Sequence, residues 1–292
     1  MSEHLILPDT QVKAGVPIDH LGWIGQYIVD QKPDVIVHIG DHWDFPSLSS
    51  YDFGKKAAEG RRVLKDFEAG CAAWDKLWKP LEKYNARMRD QKGKQYKPDR
   101  HFTEGNHEER VDRAHSMDAK IDGLIPSVRH YVEKSGVKFH KFLKICEIDG
   151  VCYSHYFYNS KTGRPIGGEN LLTRLNKLGF SFTMGHQQGY SSCIKELNNG
   201  KIIRGLVAGS CYLHDEDYIG PQGNGHWRGL IYKHEVFDGN YDLMEVSLDY
   251  LCRRYEGIPV STFMEKKYPE IFYQSQWLQR LAQRREQLER AA

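Results

Sequence analysis

Residues Asp34–Asp44 read DVIVHIGDHWD, and the fold turns on how that stretch is interpreted. Val35, Ile36, Val37 and Ile39 form a short β-branched run of the kind expected of a buried parallel strand. The run ends in Gly40-Asp41 and, three residues on, Asp44. Open α/β sheets place their sites beyond the carboxyl ends of strands, so two carboxylates at that position point to chemistry. Taken alone, they fit equally well a βα turn with acidic helix caps.

Working outward, EHLILP (residues 3–8) predicts a first strand that runs into Asp9-Thr10-Gln11. From Pro17, Leu21, Ile24, Ile28 and Val29 share one helical face until Lys32-Pro33 stops the helix. This is a β-α-β unit, which predicts parallel strands with a right-handed crossover. After Asp44 comes a Ser- and aromatic-rich loop, then a helical region over about residues 55–90 in which Trp74, Trp78 and Leu81 are expected to be core. Residues 91–100 read as a solvated charged linker. HFTE then leads into Gly105-Asn106-His107-Glu108 and a new helix, whose first turn holds Glu108 and Glu109 where the helix dipole favours them.

Residues 137–156 predict paired strands about an Asp149-Gly150 turn, the second delivering His155. A short helix over 167–179, closed by Gly179, precedes a strand ending at Gly185-His186-Gln187-Gln188. Residues 193–250 read as a β-meander, and the region 263–291 as a charged helix with Trp277, Leu278, Leu281 and Leu288 inward. That helix is expected to pack on its own domain, with a homodimer contact as the alternative.

The chain has 292 residues, 40% hydrophobic and 27% charged, and a net charge of +2, which supplies no bulk drive toward nucleic acid or membrane. Its six cysteines form no CxxC pair. With a strand starting almost at residue 1 and no apolar run of about 20 residues, the expectation is a reduced, cytoplasmic protein with no membrane segment.

The strand ends collect Asp9-x-Gln11, Gly40-Asp41-x-x-Asp44, Gly105-Asn106-His107-Glu108, Ser154-His155 and Gly185-His186-x-Gln188. All carry O- or N-donor side chains. In order and spacing the set resembles the calcineurin-like metallophosphoesterase superfamily, whose blocks run D-x-H, G-D-x-x-D, G-N-H-[DE], a lone H and G-H-x-H. The stretch GNHEERVDR is similar to nuclease-like members from phage and bacterial genomes. The resemblance implies an α/β fold of two mixed sheets packed face to face with helices outside, an αββα sandwich. It would occupy residues 1–262, with a helical insertion at about 55–95, followed by a C-terminal helical extension over 263–292.

By the same resemblance Asp41 bridges two divalent ions. Asn106, His155 and His186 complete one, while Asp9, Gln11 and Gln188 complete the other. His107, oriented by Asp44, contacts the scissile phosphate or protonates the leaving oxygen. The implied activity is hydrolysis of a phosphodiester, in nucleic acid or a nucleotide, by metal-bound hydroxide. The implied setting is the cytoplasm of a bacterium or of a phage-infected host.

Two departures fall on one ion: Gln11 and Gln188 stand where the family has histidines. Amide oxygens in place of imidazoles favour Mn or Mg at that position, with Zn, Fe, Ni or Ca as other occupants. The arginines that mark the protein-phosphatase branch are absent: GDHWD is not followed by Arg-Gly, and Glu104 precedes GNHE. A phosphomonoesterase or protein phosphatase is therefore the alternative enzyme. A catalytically degenerate metal-binding scaffold is the alternative of another class.

Arg110 and Arg113 are candidates for substrate phosphate, against salt bridges to Glu109 or Asp112. Lys13 reads as solvated and His214-Asp215-Glu216-Asp217 as an acidic surface loop. His226 and Trp227, with Arg228, after a Gly-rich stretch, are candidates for base recognition, with strand packing the alternative for Trp227.

Overall fold

Alternation along the first two strands sorts the core. In the computed structural model, β1 (Ser2–Leu7) and β2 (Val35–His38) pair in parallel, His4 opposite Val35 and Leu7 opposite His38. Leu5, Leu7 and Ile36 face one way, toward helices; Ile6, Val35 and Val37 face the other, toward a second sheet. A one-residue slip would exchange the two faces, so the register is fixed by both layers at once. The structure describes residues 1–50, 60–118, 120, 123–168, 170–220 and 223–291.

In chain order the remaining elements are α1 (Asp19–Gln31), α2 (Val63–Asp90), β3 (Asp99–Thr103), α3 (Glu109–Met117), α4 (Val128–Lys134), β4 (Lys138–His140), β5 (Cys146–Ile148) and β6 (Val151–Tyr153). They continue with α5 (Leu171–Leu178), β7 (Phe182–Met184), β8 (Tyr190–Glu196), β9 (Ile202–Ala208), β10 (Gly229–Phe237), β11 (Asn240–Ser247), α6 (Leu248–Glu256), α7 (Val260–Lys267), α8 (Pro269–Gln274) and α9 (Gln276–Ala291).

The first sheet runs β11-β10-β1-β2-β3-β4, with β1 to β4 parallel and β10 and β11 antiparallel at one side. The second runs β5-β6-β7-β9-β8, parallel in the middle and antiparallel at both edges. Ile6, Val37 and Ile39 meet Tyr153, Leu206 and Ala208 in one apolar layer between the sheets. The outer face of the first sheet carries α1, α2 and the C-terminal helices; α5 covers the outer face of the second through Leu171 and Leu175. The fold is thus α/β with two mixed sheets and helices outside. No helix among the described residues is long and apolar enough to cross a membrane.

Several expectations are corrected. VKFHKFLKICEI is not one hairpin arm: β4 extends the first sheet beside β3, and only β5 pairs with β6 in the second. The 193–250 region is two hairpins in different sheets, with α6 starting at Leu248, because β8–β9 and β10–β11 each bury a face against a different partner. Asp99 and Arg100 belong to β3, not to a linker. Leu288 is 64% exposed, whereas Trp277 and Leu278 are buried. Trp74, Trp78 and Leu81 are core, as the helical spacing predicts. The expected start of that helix, residues 55–59, lies outside the described residues.

Candidate metal centre

The carboxyl ends of β1, β2, β3, β6 and β7 bring five chain segments together. Asp41, 1% exposed, accepts the His107 backbone N–H at Oδ1 (3.0 Å) and stands 3.1 Å from His155 Nε2 through Oδ2. The other His155 ring nitrogen, Nδ1, donates to the Ile39 carbonyl at 2.9 Å, which leaves Nε2 facing the cluster. There it meets a second oxygen, Asn106 Oδ1, at 3.0 Å, and Asn106 Oδ1 is also 2.8 Å from His186 Nδ1. Asp41, His155 and His186 offer ligand atoms that all lie within 4.8 Å of one another.

A lone pair held against two acceptor oxygens is repulsive unless a cation or a proton lies between them. The electrostatics agree. Burial opposes an imidazolium at His155, but Asp41 overrides it and raises the pKa to about 10. Asp41 in turn is held well below the carboxylate range, despite its burial, by His107 and His155. Burial, reinforced by the neighbouring His155, lowers His186 to about 4, so its ring is neutral near pH 7. A proton on His155 fills that gap in the metal-free chain, and a divalent cation held by Asp41, Asn106, His155 and His186 would displace it.

Asp9 lies beside this point, fully buried. It accepts the His186 backbone N–H (3.1 Å) and the Gln188 side-chain amide (3.1 Å) at Oδ2. Burial pushes its pKa up to about 7, with His155 opposing and Asp41 adding to the rise. Gln11 is fully buried too; its Oε1 accepts from the Tyr218 hydroxyl at 3.2 Å, and its Nε2 has no hydrogen-bond partner among the described residues. Gln188 Oε1 is likewise without one. The free Gln188 oxygen beside the Asp9 carboxylate suits a hard cation; the atom left over on Gln11 is an N–H donor, so Gln11 could join only through Oε1, which Tyr218 now holds.

His107, 7% exposed, sits on the third side of the cluster. Its Nδ1 is 2.7 Å from Asp44 Oδ1, which fixes the ring, and its Nε2 lies 3.7 Å from Asp41 Oδ2. Burial disfavours charge on this ring, but Asp41 and Asp44 raise its pKa above the usual value, with Arg110 opposing. Arg110 donates to the Asp44 carbonyl (2.8 Å) and reaches His107 Nε2 at 3.2 Å. Arg113 is elsewhere: more than half exposed, it pairs with Glu109 at 3.0 Å.

Backbone geometry explains the glycines. A Cβ on Gly105 would overlap the Asp41 carboxylate and backbone N, and one on Gly185 would overlap Asp9 Oδ1 and Ile39 Cγ2. Gln11, Asp41 and His186 adopt left-handed backbone conformations, with φ of 44°, 50° and 65°. His42 of GDHWD, by contrast, turns away from the cluster and bonds Thr10 Oγ1 and the Gly70 carbonyl.

Sequence reasoning missed five contributors. Glu108, 1% exposed, accepts the backbone N–H groups of Asp41 (2.9 Å) and Gly105 (3.0 Å) at Oε2 and of Trp43 (2.8 Å) at Oε1, buckling two of the site loops together. Lys13 is not solvated: its Nζ bridges Asp44 Oδ2 (3.3 Å) and Glu216 Oε2 (2.6 Å). His214 and Glu216 are not an exposed acidic loop, because both are buried and bonded to each other at 2.6 Å. Tyr218 closes over Gln11.

His226 and Trp227 lie to one side of the centre. His226 spends both ring nitrogens on Ser210 Oγ (2.7 Å) and the Gly223 carbonyl (2.8 Å). Trp227 packs against Tyr190, with ring centroids 5.2 Å apart. Arg228 is 1% exposed, held between Tyr212 and Trp277, so its guanidinium faces the interior. No protein-family model matches the chain and no curated protein matches it, so a role rests on the geometry above.

Proposed function

We propose that the chain is a metal-dependent phosphoester hydrolase of the calcineurin-like metallophosphoesterase type, on the αββα sandwich of that superfamily. Its substrate class is the phosphodiester, in nucleic acid or a nucleotide. One observation carries the reading: Asp41 Oδ2 and Asn106 Oδ1 converge on His155 Nε2, beside a His107 backed by Asp44.

Asp41, Asn106, His155 and His186 would hold one divalent ion; Asp9, Gln11 and Gln188, with Asp41, would hold the other. Such ions polarise a phosphoryl oxygen and bring the pKa of a bound water toward neutrality. Amide oxygens at the second position favour Mn or Mg there. His107, anchored by Asp44 at Nδ1, turns Nε2 toward the cluster and donates a proton to the departing ester oxygen. Arg110, now at that Nε2, is placed to take a phosphate oxygen in its stead. Where a phosphatase of the superfamily would carry arginine before GNH, Glu104 is buried and accepts the Phe142 N–H at 2.9 Å, which favours the diester over the monoester.

The test is hydrolysis of bis-p-nitrophenyl phosphate by metal-stripped protein, titrated separately with Mn, Mg, Ca, Ni and Zn, against p-nitrophenyl phosphate. Diester turnover restored by Mn or Mg supports the reading. Turnover of the monoester alone favours a phosphatase. Stoichiometric metal without turnover on either ester overturns the enzyme and leaves a binding scaffold.

A further inference from the structure

A second group of metal-type donors lies at the far side of the first sheet, independent of the centre above. His101 on β3 is buried, and its Nδ1 lies 2.9 Å from Nε2 of half-buried His140 at the end of β4. Cys146 on β5, also buried, brings its Sγ to 3.6 Å from the same Nδ1. The two imidazoles are nearly parallel, 8° between planes. Three donors from both sheets thus share one spot, with ligand atoms within 4.8 Å of one another. The opposite ring nitrogen of His101 stands 3.1 Å from Asp99 Oδ2, an ion-pair distance without hydrogen-bond geometry.

We propose that His101, His140 and Cys146 form a binding site for a borderline-soft divalent cation of the zinc type. The distances suit it. Tetrahedral zinc, with Zn–N near 2.0–2.1 Å and Zn–S near 2.3 Å, sets N···S edges of about 3.6 Å and N···N edges of about 3.4 Å. The Cys146–His101 edge already has that length, and the imidazole pair needs to open by about 0.5 Å, exchanging one hydrogen bond for two bonds to the ion. Coordination by Cys146 releases the thiol proton to solvent, leaving Sγ bound as thiolate. Cys152, next to β5, is no fourth ligand: it packs on the outer face of its sheet with Phe182. The ion clamps β3 and β4 of the first sheet to β5 of the second, across the edge where their apolar layer ends.

Cobalt(II) added to the metal-free full-length chain tests this, because a thiolate-to-cobalt charge-transfer band in the near ultraviolet reports sulfur ligation and is blind to the Asp41 centre. A saturable band, lost in Cys146→Ser, weakened in the half-buried His140→Ala and unchanged in His155→Ala, is expected. Zinc should displace the cobalt and raise the Tm of the wild type by more than that of Cys146→Ser. No band in the wild-type protein, or a band that survives Cys146→Ser, overturns the proposal. Failure of the hydrolase reading would leave the band untouched.

Discussion

Asp19 at the start of α1 is a junction for three helices. Its Oδ1 receives Lys76 from α2 (3.0 Å) and Lys267 from α7 (2.8 Å), and Oδ2 receives the Tyr268 hydroxyl (2.6 Å). Burial opposes its ionisation, but these three donors lower its pKa from 3.8 to about 2. Its folded pKa lies below the unfolded one, so the stabilisation is fully present above about pH 4 and is lost as pH falls through about 2. At about 1.4 kcal/mol per pKa unit, the shift corresponds to about 2.5 kcal/mol; the side chain is 12% exposed but its lysines are 36% and 49% exposed, which trims the figure to about 2 kcal/mol. Asp19→Asn should therefore lower Tm by about 3 °C at pH 7. Parallel melts of the two proteins from pH 7 down to pH 2 make the check, and their curves should converge at the acid end. Equal Tm values at pH 7, or a gap that persists at pH 2, would refute the electrostatic account. The same substitution should loosen the C-terminal helices first, seen as earlier proteolysis after Lys266 or Lys267.

Other outcomes bear on the site. His107→Ala should cut kcat on a diester by about 10²–10⁴-fold while leaving metal content unchanged; unaltered kcat removes its proton-transfer role. Gln11→His combined with Gln188→His should raise affinity for Zn relative to Mn, measured by competition titration, and an unchanged preference would sink the idea that these amides set the ion. Gly185→Ala should displace Asp9 and Ile39 at a cost of about 1–3 kcal/mol, read from urea unfolding, because a methyl group has no room there.

The β-α-β opening was legible because strand alternation and helical spacing each bury a face, and because Gly and Pro punctuate the turns. Sheet membership was not. Phe139 and Cys146 lie in one alternating run, and nothing local says that the first borders β3 while the second crosses to the other sheet. The motif residues Asp9, Asp41, Asn106, His155 and His186 converge as their positions at strand ends suggest. Glu108 and Lys13 escaped because a buried carboxylate bonding only backbone, or a lysine between two acids, looks in sequence like any charged residue. His226 illustrates the reverse: an attractive neighbour, Trp227, and a Gly-rich approach, yet both of its ring nitrogens are already committed.

The left-handed backbone at Gln11, Asp41 and His186 concentrates strain at one point. That conformation costs L-residues roughly 1–2 kcal/mol apiece, a penalty that glycine escapes. Ligation of a cation by these side chains would offset the cost, so the three loops that carry them should be better ordered with metal than without it.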